Sequence, residues 1–108
     1  MIGDSTMANK SLKNGNIERG WGQMLPEFLI GDVRVDNHAM NGRSSQSFID
    51  EGRWDVVLSK LKSGDYVFIQ FGHNDEKSAE ELHTIPGSTF DENLRRFVRE
   101  TLAKGAYP

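Results

Sequence analysis

The stretch Tyr66-Val67-Phe68-Ile69-Gln70-Phe71, closed off by Gly64 on one side and Gly72 on the other, narrows the possible folds more than any other feature. Its side chains are almost all apolar or aromatic, and a strand covered on both faces fits it best. Strands of that kind belong to parallel sheets with helices packed on either side. The chain is therefore expected to be α/β.

The surrounding segments carry the same expectation. Trp21, Met24, Leu25, Phe28 and Leu29 have the spacing of an amphipathic helix, with Pro26 in or near its first turn and Gly31 as its stop. Val33 to Asn37 alternates like a short strand, and a polar loop runs from Ala39 to Ser47. Trp54, Val57, Leu58 and Leu61 return to helical spacing, ended by Lys62-Ser63-Gly64. Gly72 to Ser88 reads as a long surface loop with at most one helical turn around Ala79 to Leu82; loops of that length in compact domains usually carry function. Thr89-Phe90-Asp91-Glu92 has the pattern of a capping box, and Phe90, Leu94, Phe97, Val98 and Leu102 form the stripe of a final helix closed by Lys104 and Gly105. Strands alternating with helices imply right-handed crossovers and helices on both faces. Met1 and Ile2 leave almost no strand ahead of Gly3, and Ala106-Tyr107-Pro108 reads as the opening of another element. Residues 1–108 are thus expected to be the N-terminal part of one larger domain whose later strands are missing.

Composition excludes several functions. Thirteen basic and sixteen acidic residues are mixed along the chain, for a net charge of -3, so there is no basic footprint for a nucleic acid partner. No apolar run approaches the roughly 20 residues of a membrane-spanning helix. Without cysteine there is no disulfide framework and no thiolate metal site.

Ligands of open parallel sheets bind beyond the carboxyl ends of the strands. Each expected strand here leads into a loop of glycine and small polar residues: Gly3-Asp4-Ser5-Thr6, then Asn41-Gly42-Arg43-Ser44-Ser45, then Gly72-His73-Asn74-Asp75. All three should lie along one edge. Acyl transfer needs a nucleophilic hydroxyl and two or three N–H donors aimed at the oxygen that becomes negative. Ser5, at a tight strand-to-helix turn, is the candidate nucleophile. Its own N–H, the N–H of Gly42 and the side-chain amide of Asn74 are the candidate oxyanion hole.

At these residues the chain resembles a known family. Gly3-Asp4-Ser5 resembles the first signature block of the SGNH (GDSL) hydrolases, the glycine of Asn41-Gly42-Arg43-Ser44 the second, and Gly72-His73-Asn74-Asp75 the third, Gly-x-Asn-Asp. Gly3 to Ala8, Gly20-Trp21-Gly22, Gly42-Arg43-Ser44, Glu51-Gly52-Arg53, Gly64 to Val67 and Phe71 to Asp75 further resemble rhamnogalacturonan acetylesterases. The resemblance implies a flavodoxin-like three-layer αβα sandwich with a parallel sheet, of which this chain is the N-terminal portion. It also implies a serine esterase acting on acetylated polysaccharide or oligosaccharide, without metal or organic cofactor. The family's fourth block, Asp-x-x-His, supplies the general base and occurs nowhere here; His38, His73 and His83 lie outside any such motif. The chain alone is therefore expected to be inactive.

Each residue also has a plainer reading. Ser5 fits a helix N-cap, Gly42 a loop position with positive φ, and Asn74 a turn residue. Arg43 is open between an ion pair and a substrate contact, and His73 between packing at the cleft and touching substrate. A second functional class is a non-catalytic module that holds an anion or flavin at a helix start after Ser5. The unpaired sheet edge also invites self-association.

Overall fold

The computed structural model describes all 108 residues and is α/β. In chain order its elements are β1 (Ile2–Gly3), α1 (Trp21–Met24), α2 (Ser45–Asp50), α3 (Arg53–Lys60), β2 (Ile69–Gln70) and α4 (Thr89–Ala103). The strands pair in parallel, Ile2 opposite Ile69 and Gly3 opposite Gln70. Backbone hydrogen bonds carry the ladder beyond them on both sides. Asp36 to Met40 runs beside β1, with His38 N–H on the Met1 carbonyl at 2.9 Å and Met40 N–H on the Gly3 carbonyl at 3.0 Å. On the far side Val67 N–H donates to the Tyr107 carbonyl and Tyr107 N–H to the Asp65 carbonyl, each at 2.8 Å. The spatial order is therefore 36–40, β1, 65–70, 107.

One face of this ladder holds the main core. Ile2, Val67, Ile69 and Phe71 point to it and meet Phe48 of α2, Trp54 and Val57 of α3, and Phe97 and Leu94 of α4. Trp54 and Phe97 are fully buried and cross edge to face at 5.0 Å, a geometry worth about 1 kcal/mol beyond the area it buries. The other face is thinner. Met7, Ala8 and Ala39 form a small second core there, while Tyr66 and Phe68 stay 73% and 50% exposed. The expectation of a strand covered on both faces is corrected: alternation sends Val67 and Ile69 into the core, and nothing covers their neighbours.

Other local expectations shift for definable reasons. The helix expected over Trp21 to Leu29 is four residues of α1 followed by a 3₁₀ turn, Leu25–Phe28, because Pro26 has no N–H to continue the α pattern. Its stripe is not buried, since it belongs to the thin face. The strand expected at 33–37 is not assigned; the pairing segment begins at Asp36 instead, where backbone meets β1. α2 occupies part of the expected polar loop, nucleated by Ser44 and Ser47, whose hydroxyls each accept from the other's backbone N–H at 3.1 and 2.9 Å. Serine in place of Glu or Gln at the third helical position hid this box. The box expected at Thr89 is absent: Thr89 opens α4, and its hydroxyl accepts from Ile85 N–H upstream at 2.8 Å. The far end of α4 closes as expected, with Gly105 at φ +72° and its N–H on the Leu102 carbonyl. Within the expected stripe of α4, Phe97 is buried and Leu102 is exposed.

Candidate active site

Ser5 sits on a turn locked from three directions. Asp4, buried behind it, accepts from Thr6 N–H at 3.0 Å and from the Thr6 hydroxyl at 2.5 Å, and its carbonyl takes the N–H groups of Met7 and Ala8. Asp4 thus stabilises the turn, as Asx residues do. Gly20-Trp21-Gly22 presses on the same turn: Trp21 N–H donates to the Thr6 carbonyl at 2.9 Å, and a Cβ on Gly20 would stand 2.0 Å from the Ala8 carbonyl oxygen. Only glycine fits there. From β2, Gln70 donates to the Thr6 hydroxyl at 2.8 Å and accepts from the Trp21 indole at 2.5 Å. No helix follows Ser5; the chain makes a turn and then runs irregularly to Lys13. The expected strand-to-helix turn is corrected to a free-standing one, which removes both the N-cap reading of Ser5 and the helix end that an anion site would use.

Two buried polar side chains join the three loops. Lys10, with only 5% of its side chain exposed, donates from Nζ to the Ser5 carbonyl at 2.5 Å and to Asn41 Oδ1 at 2.6 Å, with Glu18 Oε1 at 3.6 Å. It ties the serine turn to the residue preceding Gly42. Asn74, 2% exposed, donates from Nδ2 to the Arg43 carbonyl at 2.9 Å, which ties the third loop to the residue following Gly42. Its amide nitrogen carries a second N–H. Gly42 lies between these anchors at φ +73°, a conformation that costs any side chain about 1–2 kcal/mol.

Asp75 fixes Asn74 from behind. Its buried carboxylate accepts from Ser45 N–H at 3.0 and 3.1 Å, from the Ser45 hydroxyl at 2.5 Å and from the Thr84 hydroxyl at 3.0 Å. Ser45 opens α2, so the carboxylate also meets the positive end of a helix. Arg43 is engaged in an ion pair: Nε stands 3.1 Å from Glu51, and Nη1 donates to the Asn41 carbonyl at 2.9 Å. Glu51 also binds Arg53, and these two guanidinium groups, Arg53 foremost, hold its carboxyl below the usual range.

The imidazoles lie elsewhere. His73 is exposed, 3.8 Å from Glu76; His38 bonds Asp36 at 2.9 Å; His83 contacts the Lys77 carbonyl. None bonds the Ser5 hydroxyl. No group of three or more His, Asp or Glu side chains is placed to hold a metal ion. Lys10 carries no sequence signal, and Asp75 stands in the third block without a role of its own: a lysine in a polar stretch and an aspartate beside Glu and Lys look like solvated residues, and only the fold buries them.

The GDSL-like lipase/acylhydrolase family model matches residues 1–108. The chain belongs to that family. Among its GDSL relatives, the probable rhamnogalacturonan acetylesterase YesY of Bacillus subtilis is 36% identical over all of this chain and 49% of its own length. Rhamnogalacturonan acetylesterase RhgT of the same organism is 39% identical over all of this chain and 45% of its own. A crystal structure of B. subtilis YxiM superposes with a TM-score of 0.82 at 35% identity, covering 97% of this chain and 29% of that one. This GDSL chain spans about half the length of the two acetylesterases, or less of YxiM.

Proposed function

We propose that this GDSL-family chain supplies the nucleophile and oxyanion hole of a serine esterase that removes O-acetyl groups from carbohydrate, with acetylated rhamnogalacturonan as the favoured substrate. The observation that carries the reading is the double tie across three loops, Lys10 from Ser5 to Asn41 and Asn74 to Arg43. The Ser5 hydroxyl oxygen attacks the acetyl carbonyl carbon, and the carbonyl oxygen becomes negative. The N–H groups of Ser5 and Gly42 and the free N–H of Asn74 receive that charge, each worth about 3 to 4 kcal/mol to the transition state. The sugar oxygen leaves with a proton, and water then cleaves acetyl-Ser5 to acetate. Arg43 and His73, neighbours in sequence of Gly42 and Asn74, are assigned to substrate contact.

The general base is assigned to a histidine outside these 108 residues. The order 36–40, β1, 65–70, 107 supports a flavodoxin-like, doubly wound sheet, with the three-layer sandwich completed in the same way. What supports the substrate is the similarity to the two rhamnogalacturonan acetylesterases.

The test incubates the chain with acetylated rhamnogalacturonan oligosaccharides and imidazole as a surrogate base, then maps acetylation by mass spectrometry. One acetyl group is expected on the peptide containing Ser5 and none in Ser5→Ala. Acetylation confined to lysines, or equal in Ser5→Ala, would overturn the assignment.

A further inference from the structure

Between the two ties that join the loops, one peptide group is held by neither. Lys10 binds Asn41 at its side-chain Oδ1 and Asn74 binds the Arg43 carbonyl, so both miss the peptide that links Asn41 to Gly42. That peptide is the middle of a turn. Arg43 N–H donates to the Met40 carbonyl at 3.4 Å, Asn41 lacks a positive φ and Gly42 has φ +73°, which is the type II pattern. Type I joins the same ends with the middle peptide turned over, because ψ of the second residue and φ of the third each differ by about 150° or more. Glycine at the third position fits either form. On one side of this peptide the Gly42 N–H bonds to nothing in the fold. On the other, Arg43 Nη1 donates to the Asn41 carbonyl at 2.9 Å, and Nε of the same guanidinium stands 3.1 Å from Glu51, which also binds Arg53.

We propose that Arg43 is a positioning residue for the oxyanion hole: through the Asn41 carbonyl it latches the Asn41–Gly42 peptide in its type II orientation and polarises the Gly42 N–H. The inference rests on the esterase reading for what that N–H is for, and goes beyond the substrate contact assigned to the same side chain. Two effects act together. The C=O and N–H of a trans peptide point in opposite directions, so holding the carbonyl aims the donor. Turning the peptide over would take the carbonyl off a charged donor, and a charge-assisted bond is among the stronger ones to lose. The guanidinium also draws electron density along the amide, and bonds chained in this way strengthen one another by about 10–30%. Glu51 completes the latch by fixing the guanidinium from the side away from the carbonyl, so that the charge stays where the peptide needs it.

The test compares Arg43→Met, which keeps the stem and deletes the donors, with the unsubstituted 108-residue chain. Glu51→Gln, which frees the guanidinium from its carboxylate, is the second variant. NMR reads the turn: a type II turn brings Asn41 Hα close to the Gly42 amide proton, so a strong cross-relaxation peak is expected between them. Arg43→Met should weaken that peak and move the Gly42 amide proton upfield, and Glu51→Gln should do the same in smaller measure. Acetylation of Ser5 is read by mass spectrometry with p-nitrophenyl acetate and imidazole, because that donor has no sugar for the guanidinium to touch. Arg43→Met should slow it by about two- to eightfold, the rate that 10–30% of one oxyanion donor represents. An unchanged peak and an unchanged Gly42 shift in Arg43→Met would overturn the proposal, whatever Ser5 does. So would slowing confined to the acetylated oligosaccharide, which would leave Arg43 as a substrate contact only. The NMR readings need no substrate, so they judge the latch even where Ser5 takes no acetyl group, an outcome that would count against the esterase reading instead.

Discussion

Beyond the carboxyl ends of β1 and β2, Lys10, Asn74 and Asp75 cross-link three loops with buried side-chain bonds; before the amino ends, Arg34, Asp36, Tyr66 and Phe68 face a gap with backbone groups that bond to nothing. Both edges belong to the same short ladder, so strand pairing does not distinguish them. What differs is who completes the polar accounting. At the first edge the chain's own side chains do it, which holds the loops of Ser5, Gly42 and Asn74 in one arrangement. At the second edge no side chain does so, and those backbone groups face an open cavity. The largest break in this contrast is Asp75→Ala. It strands the Ser45 N–H and hydroxyl and the Thr84 hydroxyl in the interior, and should destabilise the chain by about 3 kcal/mol or more, read as a lowered midpoint in urea. Asp75→Asn keeps one acceptor and should recover part of that loss.

Lys10→Met tests the tie between loops. Methionine keeps the buried stem but deletes the bonds to Ser5 and Asn41, so a loss of about 2 kcal/mol is expected. Acetylation of Ser5 should slow by more than the fall in folded fraction explains, because the turn and the Gly42 loop are no longer held together. Proportional losses would make Lys10 a structural residue only.

Much of the α/β fold was legible in sequence, and the misses share a cause. Trp54, Val57, Leu94 and Phe97 declared α3 and α4 because their spacing is matched by real burial. Trp21 and Phe28 have equally good spacing yet lie exposed, since periodicity reports a face and not what covers it. Gly42 and Asn74 stood out because a positive φ and a buried amide that ties two loops each call for a particular residue type. The roles of Lys10 and Asp75 were not legible, since they come from burial against Asn41 and Ser45, about thirty residues away in the chain, which no local pattern encodes.

Smaller effects sharpen the same comparison. Gly42→Ala places a Cβ in open space but at φ +73°, so it should cost about 1–2 kcal/mol, from backbone strain alone. Glu51 should matter through pH. Its carboxyl is held below its ordinary 4.5 by Arg53 and then Arg43, so its contribution is full above that value and disappears as the pH falls through the lower folded-state value. The group is substantially exposed, so the effect is small and should fade in high salt. Glu51→Gln should flatten the acid limb of the stability profile, and an unchanged limb would detach Arg43 from this ion pair.

The smallest effect expected lies at the open edge. Val33 lines the cavity there and is 60% exposed, so Val33→Thr should change stability by no more than about 0.5 kcal/mol in the 108-residue chain. Urea unfolding of the variant beside the unsubstituted chain checks this. A loss as large as that of Lys10→Met would mean that Val33 is held as tightly as the buried cross-links beyond the carboxyl ends, and the contrast between the two edges would go.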